Sequence, residues 1–151
     1  MIRPVETRDL APIERLESQL FRRPLTRRDL ESLLARPAGC GFLVDGGAGE
    51  VVSYVLFMNA GTTADVVSLG TDPLAQRAGF ASRLLNAALQ FLADAGVEDV
   101  LLEVAVDNEA ALVLYERAGF VETARRINYY QRPHGDMDAI VMRRNLALGS
   151  A

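Results

Sequence analysis

One stretch restricts the fold of this chain more than any other: Asp72-Pro73-Leu74-Ala75-Gln76-Arg77-Ala78-Gly79-Phe80-Ala81-Ser82-Arg83-Leu84-Leu85. An apolar run at residues 65–69 precedes it. A helix predicted from about residue 79 to residue 95 follows, with Leu84, Leu85, Ala88, Leu89 and Leu92 on one face and Gly96 placed to stop it. A helix with so wide an apolar face has to cover another layer. The next segments supply that layer. Residues 100–106 read as a strongly apolar strand interrupted by Glu103, and Asn108 opens a helix that contains Ala111, Leu112, Tyr115 and Ala118 and closes at Gly119. Strand, helix, strand, helix in succession predicts an α/β domain with a mixed sheet.

The flanks fit the same class. Asp9 is placed to cap a first helix carrying Leu10, Ile13, Leu16 and Leu20, and Thr26 with Asp29 resembles a capping box for a second with Leu30, Leu33 and Leu34. Strands are predicted at 41–44 and 51–58, joined as a hairpin through Asp45-Gly46-Gly47-Ala48-Gly49. Strand-like segments at 120–127 and 139–143 finish the chain. No repeat or linker divides it, so residues 1–151 are expected to form a single domain.

Composition excludes several chemistries. Cys40 is the only cysteine and His134 the only histidine, so an intrachain disulfide, a multi-cysteine metal site and a His-rich metal site are excluded, and no metal is expected. All sixteen basic residues are arginine, which removes a Schiff-base lysine and a Walker-type phosphate lysine. The net charge of −4 disfavours nucleic acid as a direct partner. Charge is unevenly spread: residues 37–124 hold twelve of the twenty acidic residues and three of the sixteen arginines. That acidic middle would suit a cationic substrate or be plain solvated surface. No run approaches the ~20 apolar residues of a membrane span, and the start does not read as a signal peptide. A reduced, cytoplasmic protein with no membrane partner is the expectation.

Three features carry chemistry. The turn before the long helix offers free N–H groups and the helix dipole to an anion, with Gly79 and Ala81 small enough for a pyrophosphate to approach, unless it is an ordinary strand-to-helix turn. Glu103 is a carboxylate in an apolar strand. Desolvation would raise its pKa toward that of a useful base; otherwise it faces solvent or sits in a structural salt bridge. Asn108 is either an ordinary helix N-cap or a ligand contact, and Tyr115, two turns further on the same face, is either a core aromatic or a proton donor.

In combination these residues become specific. Gln76-x-x-Gly79-x-Ala81, then Leu102-Glu103-Val104, then Asn108-x-x-Ala111-x-x-Leu114-Tyr115-x-x-x-Gly119-Phe120 resembles the GNAT acetyltransferase superfamily. Arg125-Arg126-Ile127-Asn128-Tyr129-Tyr130 and Asp138-Ala139-Ile140-Val141-Met142 are similar to the RimI family of ribosomal-protein alanine N-acetyltransferases. The resemblance covers about residues 40–145. It implies a GNAT-like mixed, mostly antiparallel central sheet with flanking helices. It implies acetyl-CoA as co-substrate, its pyrophosphate on Arg77, Ala78, Gly79, Phe80, Ala81 and Ser82, its pantetheine arm along Leu69, Gly70 and Thr71, and a contact from Asn108. Glu103 would be the general base, working through water, and Tyr115 the general acid, in direct transfer to the N-terminal alanine of small-subunit ribosomal protein 18. A backbone amide near residues 69–71 could polarise the thioester carbonyl. Other protein N-termini or a small amine such as a polyamine are the alternative acceptors, and a non-catalytic acetyl-CoA-binding module is the third reading.

The departures are local. Gly70-Thr71 stands where the family usually has Ala-Val, and Gly70 is a candidate bulge. Ala105 replaces the usual arginine after Leu-Glu-Val, and Ala81 replaces the last glycine of the phosphate loop. Tyr129 and Tyr130 are candidates to line an acceptor groove, Asp136 or Asp138 to pair with a cationic substrate residue, and His134 to touch the acceptor. Cys40 is expected to be a buried, inert thiol. Arg22, Arg23, Arg27 and Arg28 could guide coenzyme phosphates or the ribosome, or be solvated surface.

Overall fold

The computed structural model describes residues 1–130, 133 and 135–148. His134 lies outside them. Among the described residues seven strands form one sheet: β1 (Ile2–Pro4), β2 (Gly39–Gly47), β3 (Glu50–Ala60), β4 (Thr63–Thr71), β5 (Asp99–Ala105), β6 (Val121–Tyr130) and β7 (Met137–Asn145), in spatial order β1-β2-β3-β4-β5-β7-β6. Every neighbouring pair is antiparallel except β4 with β5. This is the expected mixed, mostly antiparallel architecture. Among the described residues four α-helices flank it: α1 (Leu10–Leu20), α2 (Arg27–Ala35), α3 (Phe80–Asp94) and α4 (Glu109–Arg117).

The helices divide between the two faces. Leu10, Ile13 and Leu16 of α1 and Leu30 and Leu33 of α2 pack with Leu43, Val51, Tyr54 and Leu56. Leu84, Leu85, Ala88, Leu89 and Leu92 of α3 and Tyr115 of α4 pack with Val44, Val55, Phe57, Val100, Leu102 and Val104. Side chains of a strand alternate between faces. The run Tyr54-Val55-Leu56-Phe57 therefore supplies both cores, which is why it is apolar without alternation. Strand β6 lies at the sheet edge and is exposed along nearly its whole length, where the charges of Glu122, Arg125 and Arg126 interrupt the exposed Val121, Ile127 and Tyr129.

The structure adds one element and corrects three expectations. Strand β1 was not anticipated; its three residues pair with Phe42, Leu43 and Val44 of β2. Asp9 does not cap α1 with its side chain. Its carboxylate takes the Glu6 N–H at 2.7 Å and both terminal nitrogens of Arg3, at 2.8 and 2.7 Å, while Arg3 Nε reaches Asp45 at 2.8 Å. The β2–β3 hairpin is tighter than predicted. Gly47 pairs with Glu50, and Ala48 and Gly49 take φ of 51° and 79°, the two positive values that suit a two-residue hairpin turn. The bulge is not at Gly70. The β3–β4 register shifts between Leu56↔Ser68 and Phe57↔Val66, leaving Val67 as the extra residue. Gly70 is required for a different reason. A Cβ there would lie 2.6 Å from Tyr54 Oη and 2.8 Å from Leu20 Cδ1.

The Arg3 hydrogen bond to Asp9 pulls that carboxyl below its usual pKa, against the cost of burial. A lowered folded-state pKa stabilises the protein above the unfolded value near ~4, and the contribution is lost as pH falls through the folded value. Asp9→Asn is expected to cost about 2 kcal/mol at pH 7 in urea unfolding. The gap between variant and wild type should narrow at about pH 3, and a gap that stays constant with pH would show that the carboxylate charge is not what stabilises the turn.

Candidate active site

Strands β4 and β5 pair only at Thr63↔Asp99, Ala64↔Val100 and Asp65↔Leu101. Beyond that point each strand stays with its outer neighbour: β4 remains paired to β3 as far as Ser53↔Thr71, and β5 to β7 as far as Ala105↔Ala139. The strands therefore part, and a cleft of about 1040 Å³ opens between them. Leu69, Gly70 and Thr71 form part of its β4 wall, and Glu103 lines its β5 wall. Arg77, Gly79, Phe80, Ala81 and Ser82 close one end, and Asn108 and Tyr115 enter from α4. Of the residues expected to hold the coenzyme or act in the transfer, Ala78 alone does not line the cleft.

The turn into α3 is braced from within. Asp72 accepts the Leu74 N–H at 2.9 Å, and the Gln76 amide donates to the Thr71 carbonyl at 3.3 Å. Arg77 at φ 67° and Gly79 at φ 82° both adopt left-handed backbone conformations, and Gly79 is the N-cap of α3. A glycine has no side chain to cap a helix, and no acidic residue occupies the first turn. The N–H groups of Phe80, Ala81 and Ser82 have no intrahelical acceptor. They meet the cleft with the positive end of a fifteen-residue helix dipole.

Of the settings its apolar strand left open, Glu103 takes the partly exposed, salt-bridged one. Its side chain is 28% exposed and its carboxylate lies 3.0 Å from Arg126, whose guanidinium also stands over the Tyr129 ring at 5.3 Å. Arg126 reaches Glu103 across β7, past Ala139, which pairs with both Arg126 and Ala105. Tyr115 is 8% exposed, packed edge-on against Phe120 at 5.8 Å. Burial, with a smaller contribution from the nearby Tyr130, pushes its phenol up to about 12. The hydroxyl therefore keeps its proton throughout the neutral range. Asn108 caps α4, its side-chain oxygen accepting the Ala111 N–H at 3.2 Å.

The outlying candidates separate. Tyr130 lines the cleft and Tyr129 does not, although the two rings meet edge-on at 5.2 Å. Asp138 accepts the Asn128 N–H at 3.0 Å, which holds the β6 backbone where Asn128 turns to φ 52°. Arg22 and Arg23 line the cleft; Arg27 and Arg28 do not. Cys40 is only partly buried, packed against the core, and that burial pushes its thiol above the usual range.

Glu17 escaped the sequence reading. It is 2% exposed on α1 and lines the cleft. Its carboxylate accepts the Leu25 N–H at 2.9 Å, the Ser68 hydroxyl at 2.6 Å and the Tyr54 hydroxyl. Burial and this carboxylate push the Tyr54 phenol up. The signal was present: Glu17 stands seven residues after Leu10, on the apolar face of its own helix, where an unpaired charge would be costly.

With this geometry described, comparison with known proteins places the chain. The model of the Acetyltransferase (GNAT) family matches residues 9–120, and the chain belongs to that family. Among its relatives, the ribosomal protein bS18-alanine N-acetyltransferase of Escherichia coli strain K12 is 35% identical over 94 residues, which are 62% of this chain and 64% of that protein. The match thus spans a little under two thirds of the relative. A mycothiol acetyltransferase from Clavibacter michiganensis is 35% identical over 108 residues, 70% of this chain and 35% of that protein. The crystal structure of the E. coli ribosomal-protein-S18-alanine N-acetyltransferase superposes with a TM-score of 0.90 at 28% identity, covering 99% of this chain and 96% of the other. Among the described residues no helix is long and apolar enough to cross a membrane.

Glu17→Ala would leave two hydroxyls and one N–H without their acceptor. A cost of about 3 kcal/mol is expected, lowering Tm by about 10 °C. Glu17→Gln, which keeps an acceptor oxygen, should recover part of that loss by calorimetry. Equal Tm for wild type and the alanine variant would show that the node does not hold α1 to the sheet.

Proposed function

We propose that this chain is an acetyl-CoA-dependent N-acetyltransferase of protein N-terminal α-amines, with the N-terminal alanine of ribosomal protein bS18 as its acceptor. The observation that carries the reading is the parting of β4 from β5, which brings an uncapped helix N-terminus, Glu103 and Tyr115 around one cleft. The bS18 acceptor is suggested by the named activity of the E. coli relative and by the likeness to that enzyme's structure. A cytoplasmic setting follows from that assignment.

The residues present fit the coenzyme. The N–H groups of Phe80, Ala81 and Ser82 suit a pyrophosphate, with Arg77 beside them. The inner edge of β4 around Leu69 and Thr71 has no β5 partner, and although the Thr71 carbonyl takes the Gln76 amide and the Gly70 carbonyl the Ser53 hydroxyl, the remaining backbone groups there suit an amide-bearing arm. The Asn108 oxygen is taken by its helix, so a contact to the coenzyme falls to its amide nitrogen. Acetyl-CoA would supply an activated acyl group as a thioester.

This chain's own residues would then do three things. Glu103 accepts a proton from the incoming ammonium, through water, once the amine competes with Arg126 for its carboxylate. Tyr115, still protonated, donates to the sulfur as the thiolate departs. Backbone N–H groups at residues 69–71 orient and polarise the carbonyl. Transfer is direct, within a ternary complex.

Glu103→Gln is expected to lower turnover ~10²–10⁴-fold, the usual contribution of a positioned base. Tyr115→Phe should slow transfer while the acetyl-CoA dissociation constant stays within about twofold, because the ring and its packing are kept. Wild-type turnover in the first variant would remove Glu103 from the mechanism, and lost coenzyme affinity in the second would make Tyr115 a binding residue. The acceptor is tested by mass spectrometry of one reaction containing an Ala-first bS18 peptide, the same peptide with a blocked amine, and spermidine. A single acetyl group on the free peptide alone supports the reading. Acetylation of spermidine alone would replace it with a small-amine enzyme.

A further inference from the structure

A proton acceptor has to be aimed, and a partly exposed carboxylate on a strand has several rotamers open to it. At Glu103 one contact removes that freedom: Arg126 Nη2 lies 3.0 Å from Glu103 Oε1. Of the two partners only Glu103 lines the cleft.

The contact depends on three strands. Glu103 pairs with Val141 and Arg126 with Ala139, so the width of β7 lies between the two residues. Ala105, Ala139 and Arg126 form one row across β5, β7 and β6, and residues directly opposed share a face. Glu103, two residues before Ala105, lies on that face as well. The two long side chains can meet over β7 because the row beneath them rises no higher than a methyl group at Ala105 and Ala139.

The guanidinium is also supported on its other side. In a regular strand Tyr129, three residues further on, would point to the opposite face from Arg126. Here β6 breaks register between the Arg126↔Ala139 and Tyr130↔Met137 pairs. Asn128 turns to φ 52°, and the Asp138 carboxylate accepts the Asn128 N–H at 3.0 Å. The irregularity brings the Tyr129 ring back to Arg126, 5.3 Å from its guanidinium. Tyr129 meets Tyr130 edge-on, and Tyr130 lines the cleft. With Arg126 57% exposed, such an ion pair adds little to stability. Its consequence is geometric.

We propose that Arg126 is a positioning residue for the transfer: it fixes the Glu103 carboxylate through Oε1 and leaves Oε2 for the water that relays the proton. One proton leaves the ammonium nitrogen for that water, the water gives one to Oε2, and the nitrogen lone pair is freed to attack. The proposal rests on the reading of Glu103 as the general base. The incoming ammonium has to share the carboxylate with Arg126, so the base is held in its reactive geometry at some cost in acceptor binding.

The test is steady-state kinetics with whichever acceptor the wild-type protein turns over, the Ala-first bS18 peptide or spermidine. Arg126→Met keeps a side chain over the Tyr129 ring and removes the charge. It is expected to lower kcat about tenfold and the acceptor KM about twofold, with the acetyl-CoA dissociation constant and Tm unchanged. Arg126→Lys should recover most of the lost kcat, because a single nitrogen makes the contact. In a Glu103→Gln background, adding Arg126→Met should change kcat by less than about twofold, because the residue it acts through is already gone. Unchanged kcat in Arg126→Met overturns the proposal. A raised acceptor KM at constant kcat also overturns it, by making Arg126 an acceptor contact. A full further loss in the Glu103→Gln background does so as well, because Arg126 would then act without the base. In all three outcomes a slow Glu103→Gln leaves the base reading standing. Wild-type turnover in Glu103→Gln overturns that reading and this proposal together.

Discussion

Strands β4 and β5 run parallel for three residue pairs and then separate, and the site exists because they do. Inside a sheet, an unpaired row of backbone groups is costly unless something else satisfies it. Each strand is kept from closing the gap by the partner on its far side. β3 holds β4 through Thr71, and β7 holds β5 through Ala105. The extra residue at Val67 shifts the β4 register just where the separation begins. Glu17 adds a lateral hold from α1 onto Ser68, and Gly70 lets Tyr54 and Leu20 approach the β4 backbone more closely than any side chain would permit. The cleft is thus a property of how the sheet is anchored at both sides, and its inner edges remain open for a ligand that brings its own amides.

Helices α3 and α4 were legible in the sequence because their signals are local. Leu84, Leu85, Ala88, Leu89 and Leu92 recur at helical spacing, Gly96 follows, and Asn108 opens the next helix with its own side chain. The strand core was legible because it is apolar on both faces. What local signals could not give were interactions made across the chain. β1 is three residues long and defined by its pairing with β2. Asp9 looks like a helix cap in sequence, but Arg3 and the Glu6 N–H claim its carboxylate. Gly70 looked like a bulge because the side chains that press on it, Tyr54 and Leu20, lie sixteen and fifty residues away.

Glu103 illustrates the same limit at the site. Its strand neighbours, Leu102 and Val104, are buried, and sequence alone left open whether the carboxyl is starved of water, faces solvent or sits in a salt bridge. The strand alternates, however, and Glu103 points to the open side, where Arg126 crosses β7 to meet it. The usual family arginine after Leu-Glu-Val is Ala105 here, and the small residues Ala105 and Ala139 lie beneath that crossing. The charge beside the glutamate therefore comes from the edge strand instead of its own.

Much of the charge asymmetry along the chain resolves in the same way. The acidic middle suggested affinity for a cation, yet several of its carboxylates are taken by arginines from the two basic ends. Asp45 receives Arg3 from the first strand, while Glu103, Glu122 and Asp99 receive Arg126, Arg125 and Arg143 from the last two. The sheet order makes this possible, because β1 lies beside β2 and β7 lies between β5 and β6. Most of these pairs are partly exposed and individually weak. Together they change what the surface presents, since an acidic segment already matched to basic strands has less field left for a substrate.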